Sequence, residues 1–395
     1  MKYVVLIPDG MADYPIEELG GLTPLEAADT PHMNSLARGG RVGLVRNVPA
    51  GMSPGSDVAI MSVLGFDPAI YYTGRGPLEA LSMGVELTPD QIAYRMNFVT
   101  IVDNEMADFS AGHISTVEAT VLVKALQSSI GSDEFRFYPG ASYRHLMVTT
   151  DAGLLKMTCT PPHDIIGQPI DKCLPTGRKA DRLLDLMARA GKILEEHEIN
   201  TQRKEIGENP ANSIWLWGQG VRPNLPHFKK VFGINGAIIS AVPLLQSLAE
   251  YIGLENIEVE GITGYYDTNY KGKGEAGINA LKKYDFVCVH VEAPDEAGHS
   301  GDWKTKKETI ERIDSEVLGT IFQGLQSYEK WRILVIADHP TPISIRTHTA
   351  EPVPFVIYGT DIDPIGVEGM GESSARSTGI FFDQGHRLLE MMILK

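Results

Sequence analysis

At 395 residues, with 43% hydrophobic and 22% charged side chains, the chain has the composition of an ordinary globular protein, with room for two or three domains. Its formal net charge of −16 disfavours nucleic acid or an anionic membrane as a partner. Three cysteines, Cys159, Cys173 and Cys288, form no C-x-x-C and leave one thiol over under any pairing, which fits a reducing cytoplasm better than a disulfide framework.

The chain opens on KYVVLI, a short β-branched run ending at Pro8-Asp9, too brief for a signal-peptide core. A helical pattern follows at TPHMNSLARGG. In GMSPGSDVAIMSVLG, Ser56 stands between Pro54-Gly55 and a helical run, at an N-cap or in a first turn. A helix N-terminus favours negative charge, although a serine there is most often only a cap.

From about Ile92 to Pro175 the pattern changes. Strands AYRMNFVTIV, EFRFYPG and YRHLMVTT surround one helix at STVEATVLVKALQ, and a further helix, DRLLDLMARAGKILEEH, leads out. This reads as a smaller α+β domain inserted over 92–205, with 1–91 and 206–395 forming the larger one. Thereafter the strand-like runs SIWLWG, GAIIS, FVCVHV, RILVIA and VPFVIY appear. Helical patterns VPLLQSLAEYIG, GEAGINALKKY and KTKKETIERIDSEVLGTIFQGLQ alternate with several of them. Near-continuous apolar strands between amphipathic helices predict an α/β fold with a mostly parallel sheet covered on both faces. The longest apolar stretch, GAIISAVPLLQSLA, is broken by serines and Pro243 and cannot span a bilayer.

Ligands of open parallel sheets bind beyond the carboxyl ends of the strands. Asp9, Asp295 and the pair Asp338-His339 all follow strand-like runs, His299 lies four residues after Asp295, and His348 sits in the loop before VPFVIY. Three carboxylates and three imidazoles suit Mn²⁺ or Zn²⁺, with Mg²⁺ as a harder option. Six ligands exceed one tetrahedral site and point to two ions ~3.5–4 Å apart, an arrangement used for in-line displacement at phosphorus. GKGEAG at Gly272 matches G-x-G-x-x-G, but no clean strand precedes it and its acidic follower is misplaced, so a dinucleotide site is discounted.

Taken together, PDG, GSD before a helix, DEAGHSG, ADH and HTAEPVPF resemble the alkaline-phosphatase superfamily, and more closely its cofactor-independent phosphoglycerate mutases of the archaeal type. The likeness extends through TPLEAADTP, YYTGRGPLEA and YYDTNYKGKGEA. It implies an alkaline-phosphatase-like core and a substrate-binding cap domain. It also implies that Asp9, Ser56, Asp338 and His339 hold one divalent ion and that Asp295, His299 and His348 hold the other. Ser56 would take the phosphoryl group of a small phosphorylated metabolite and return it, converting 3-phosphoglycerate to 2-phosphoglycerate. A branch with this look is proposed to phosphorylate homoserine, which stands as the alternative; a hydrolase or a metal-binding scaffold ranks below both.

Arg75, in TGRGPLEA, is a candidate phosphate clamp whose bland reading is a helix-flanking surface charge. Lys271 and Lys273 are similar candidates. In the inserted domain, Arg144, His145, His163 and Asp164 are places for substrate contacts. His113 stands in DFSAGHIST, where the mutases that the chain resembles carry arginine. A histidine offers one charge-assisted bond where arginine's fork offers two.

Overall fold

The computed structural model describes residues 1–394. The chain divides into two compact units, one made of Met1–Tyr72 and Asn224–Lys395, the other of Thr73–Pro223.

The larger unit is built on an eight-stranded sheet. In spatial order its strands are Phe381–Phe382, Arg41–Val45, Val353–Gly359, Trp331–Ile336, Lys2–Pro8, Phe286–Val291, Gly236–Ile239 and Glu255–Asn256. From Trp331–Ile336 to Glu255–Asn256 the neighbours are parallel, while Val353–Gly359 runs antiparallel to both of its partners. The three central strands are buried along almost their whole length, because helices cover both faces of a parallel sheet and leave no face for polar alternation.

Register sets the site. Pro8 pairs with Val291 and Leu6 with Val335. Asp9 and Glu292 therefore each leave a strand one residue past a paired position, and Asp338 lies three residues beyond Val335, as Asp9 lies three beyond Leu6. The carboxylates emerge at one edge.

The expected long helix over 304–326 is interrupted. Trp303–Arg312 and Gly319–Leu325 are α-helical, and Ile313–Leu318 between them is a π-helix. Its buried Asp314 accepts the backbone N–H groups of His32 and Met33, satisfying the first turn of the helix Pro31–Gly39.

The smaller unit is centred on the long strand Ile92–Val102, flanked antiparallel by Arg144–Thr149 and Ser213–Val221. Helices Thr116–Ile130 and Ala180–Glu195 pack their apolar residues, Leu122, Leu126, Leu183 and Leu186, against Tyr94, Met96 and Phe98. Ser115 and Glu118 close a reciprocal capping box at the start of the first of these.

The boundaries differ from the expected 92–205. SIWLWG, read as part of the larger domain, belongs to the smaller unit, because the strand Ser213–Val221 pairs along Ile92–Val102. The helix Arg75–Ser82 belongs there too, burying Leu78 and Ala80 and packing on the same strands. Among the described residues no helix is long and apolar enough to cross a membrane.

Candidate metal centre

Two sets of side chains meet at the carboxyl edge of the larger unit's sheet. Asp9, Asp338 and His339 form one; Asp295, His299 and His348 form the other; within each set the ligand atoms lie within 4.8 Å of one another, as they do in a third group that shares Asp9 with His290 and Glu292. His339 Nε2 stands 3.6 Å from Asp9 Oδ1 and 3.3 Å from Asp338 Oδ2. His299 Nε2 is 3.1 Å from Asp295 Oδ2, and His348 Nε2 is 3.4 Å from Asp295 Oδ1. The two Nε2 atoms of His299 and His348 face each other at 3.0 Å.

The helix Asp295 and His299 occupy runs Ala293–Ser300, so a spacing of four residues places both on one face. His348 arrives on the loop by which the chain reverses between Trp331–Ile336 and the antiparallel Val353–Gly359.

The donor set fits divalent cations. Asp9 Oδ1, Asp338 Oδ2 and Glu292 Oε2 are buried without a hydrogen-bond partner, and an isolated buried carboxylate oxygen is costly unless a cation pairs with it. The electrostatics agree. Burial, then the neighbouring Asp338, Glu292 and Asp295 carboxylates, push Asp9 well above the usual carboxylate range. Burial and Asp295 push Glu292 up to about 8. Burial also works against an ionised Asp295, but hydrogen bonds from His299 and His348 hold it well below its ordinary value. His299 is desolvated as well, yet the Asp295 carboxylate lifts it to about 9. The site gathers negative charge, and the positive groups among the clustered side chains themselves are imidazoles, with the buried Lys273 and Lys306 behind them.

Ser56 opens the helix Ser56–Val63. The N-cap is Gly55 and receives no side-chain cap bond, so Ser56 is a first-turn residue and does not cap. Its Oγ lies 3.2 Å from His339 Nε2. Asp57, next to it, is held by the Tyr72 hydroxyl at 2.7 Å.

Residues without a sequence signal of their own hold this cluster in shape. The Thr341 hydroxyl donates to Asp295 Oδ1 and sits 3.3 Å from His339 Nδ1, joining one set to the other. With Nδ1–H donating to Thr341, Nε2 of His339 keeps its lone pair toward Ser56, Asp9 and Asp338. Fully buried Lys306 donates to the Asp13 carboxylate at 2.7 Å and to the carbonyls of Ala12 and Thr341, tying together the loops after two strands. Asn47 donates to the carbonyls of Ala337 and Asp338. Buried His290 and half-buried Glu292, which gather with Asp9, had a detectable signal: polar residues inside and just after the apolar run FVCVHV are anomalous for a buried strand.

The remaining candidates lie elsewhere. Lys273 is wholly buried and donates to the His290 carbonyl at 2.8 Å, with burial lowering it to about 8. It braces the strand end and presents no ammonium to a ligand. Lys271 is exposed beside Glu275.

Arg75, His113, Arg144, His145, His163 and Asp164 belong to the smaller unit. There Arg75 lies near Glu79 and over the Trp217 ring, and His163 packs edge-on to the same ring. Asp164 sits 3.7 Å from His163. Arg144 stacks on Tyr143, and His113, exposed at a positive φ of 50°, approaches the same Tyr143. His145 is buried, accepts the Gly140 N–H, and is lowered to about 3 by desolvation, so it faces the core. Arg95, absent from the sequence candidates, is buried under Trp217 with its guanidinium 2.9 Å from Glu79. Burial, and after it the charges of Arg75 and Arg144, lower Arg95 to about 10.

Residues 37–200 match the family model described as 2,3-bisphosphoglycerate-independent phosphoglycerate mutase. The chain is 51% identical over 395 residues to the Methanosarcina acetivorans protein of that name, covering 100% of both chains. A solved protein of Pyrococcus horikoshii is similar at 32% identity and a TM-score of 0.81, covering 99% of this chain and 96% of that one. The solved cofactor-independent phosphoglycerate mutase of Thermoplasma acidophilum is similar at 28% identity and a TM-score of 0.66, covering 100% of this chain and 99% of that one.

Proposed function

The chain belongs to the 2,3-bisphosphoglycerate-independent phosphoglycerate mutase family, and from that premise we propose that it interconverts 3-phosphoglycerate and 2-phosphoglycerate through a phosphoryl group carried on Ser56. The observation that carries the reading is the Ser56 hydroxyl, 3.2 Å from His339 Nε2 at the rim of a carboxylate cluster with orphaned oxygens. A free serine hydroxyl is a poor nucleophile.

Asp9, Asp338 and His339, with Ser56, would hold one divalent ion, and Asp295, His299 and His348 a second. Such ions, Mn²⁺ or Zn²⁺ by the donor set, would lower the pKa of the Ser56 hydroxyl and neutralise the phosphoryl group in transfer. Ser56 Oγ gives up its proton and forms the new bond to phosphorus as the bond to O3 of the glycerate breaks, and O3 takes up a proton in its place, so the step is proton-neutral. The phosphoserine then rests at the first turn of Ser56–Val63, where backbone amides favour negative charge. Attack by O2 of the glycerate, whose hydroxyl gives up its proton, breaks the bond from phosphorus to Ser56 Oγ, and Ser56 takes up a proton to return to the free hydroxyl. Inside the smaller unit, Arg75 and Arg144 are chemically suited to a substrate carboxylate or phosphate. The three cysteines are all free, in keeping with a cytoplasmic setting.

The test is an enolase-coupled assay with 3-phosphoglycerate, before and after chelation and after Mn²⁺ reloading. Activity that chelation abolishes and Mn²⁺ restores is the expected result. No mutase turnover, with phosphorylation of homoserine from a phosphoryl donor, would transfer the assignment to the kinase-like branch.

A further inference from the structure

His290 is fully buried at the end of the strand Phe286–Val291, and both of its ring nitrogens are engaged. Nε2 lies 2.8 Å from Asp9 Oδ2. Nδ1 lies 3.2 Å from Ser240 Oγ. Ser240 Oγ in turn accepts the backbone N–H of Val242 at 3.0 Å.

These contacts determine where each proton sits once Asp9 is ionised. A carboxylate only accepts, so Nε2 must carry the hydrogen and donate it to Asp9. Nδ1 is then the lone-pair nitrogen, and only the Ser240 hydroxyl can donate to it. That hydroxyl has its proton to give because its oxygen already accepts from Val242. Lys273, donating to the His290 carbonyl, fixes the backbone beneath the ring. The relay occupies Asp9 Oδ2 and leaves Oδ1, which has no hydrogen-bond partner, turned toward His339 at 3.6 Å.

We propose that Ser240 and His290 are positioning residues that make Asp9 a one-oxygen ligand for a divalent cation. The inference rests on the reading of this cluster as a cation site and adds how one ligand is aimed. Without the relay Asp9 is free to rotate, or to meet His290 in the wrong tautomer, and the pocket loses affinity for the ion at the Asp9–Asp338–His339 set alone. Partners that orient a ligand in this way are worth about ten- to hundredfold in metal affinity.

The experiment is calorimetric titration of chelator-stripped protein with Mn²⁺, at one fixed pH, alongside the melting temperature of the metal-free protein. His290→Leu should weaken one of the two Mn²⁺ sites ten- to hundredfold and leave the other unchanged. His290→Gln, which returns an amide N–H near the place of Nε2, should recover part of the loss. Ser240→Ala should weaken the same site severalfold, and Ser240→Thr should restore it. Unchanged Mn²⁺ affinity in Ser240→Ala and His290→Leu, or equal weakening of both sites, overturns the proposal. A wild-type protein that binds no Mn²⁺ overturns the cation site itself, a distinct outcome. If His290→Leu does not fold, the Ser240 pair decides, since its exchange removes or keeps a single hydroxyl.

Discussion

Ser56 Oγ and His339 Nε2 stand 3.2 Å apart, although 283 positions separate them in the chain. The contact joins the start of a helix that follows the strand Arg41–Val45 to the end of Trp331–Ile336. The strand Val353–Gly359 lies between those two and pairs with both. The hydroxyl does not cap its own helix, because Gly55 occupies the N-cap.

Ser56→Ala should therefore keep the fold and abolish phosphoryl transfer. Alanine is a better helix former than serine and no cap bond is lost, which offsets the lost contact to His339, so the melting temperature should change little. Mass spectrometry of wild-type enzyme quenched during turnover should place phosphate on Ser56. Near-normal turnover in the variant would refute the role.

Thr341→Val removes the hydroxyl shared by Asp295 and His339 while nearly keeping the volume. Loss of a hydrogen bond to a charged group costs ~1.5–3 kcal/mol, which is roughly a ten- to hundredfold rightward shift in the Mn²⁺ concentration needed for half-reactivation. Thr341→Ser should shift it little. Superimposable reactivation curves for wild type and Thr341→Val would show that the bridge does not matter.

Gly10 has φ +60°, and a Cβ there would stand 2.6 Å from Asp295 Oδ1 and 2.7 Å from Asp295 Cα. Gly10→Ala meets backbone as well as side chain, so the strain cannot be relieved by rotating one bond. Overpacking costs about 1–3 kcal/mol, with ~1–2 kcal/mol more for a left-handed alanine. A fall in the denaturation midpoint together with poor Mn²⁺ reactivation is expected, and an unaltered midpoint would contradict the packing.

His145 gives acid sensitivity to the smaller unit. Burial lowers its imidazole to about 3, whereas the unfolded chain protonates near the ordinary ~6.5. Above pH 6.5 neither state is charged and the folded state keeps its full stability. As pH falls toward 3 the unfolded state gains a proton that the folded state refuses, so stability drops by about 1.4 kcal/mol per pH unit. His145→Asn retains an acceptor for the Gly140 N–H and cannot titrate. Between pH 7 and pH 5 the wild type should lose about 2 kcal/mol more stability than the variant; urea midpoints that fall equally would exclude His145 as the cause.

His113→Arg tests substrate grip. His113 is exposed beside Tyr143 in the smaller unit. An arginine there could replace one hydrogen bond to a carboxylate or phosphate with two. A rise in kcat/KM with phosphoglycerate is expected in the coupled assay, and no rise would show that position 113 does not select the substrate.

The sequence by itself determined the types of candidate ligand and their places along the chain. Asp9, Asp295, Asp338 and His339 each follow an apolar run, and a parallel sheet delivers such residues to one edge, as the register of Pro8 with Val291 and of Leu6 with Val335 shows. Their periodicity is local, so it could be read residue by residue. Tertiary structure alone decided what depends on pairing at long range. Ser213–Val221 looks like any core strand until its partner, Ile92–Val102, assigns it to the smaller unit. Lys273 and Lys306 look like surface lysines in glycine-rich and lysine-rich stretches, yet both are wholly buried against backbone carbonyls. Thr341 gains its function from two residues 46 and 2 positions away that only the folded sheet brings within reach of one hydroxyl. Local pattern reports which face a residue prefers, but a buried polar group is stable only with its partner, and the fold supplies the partner.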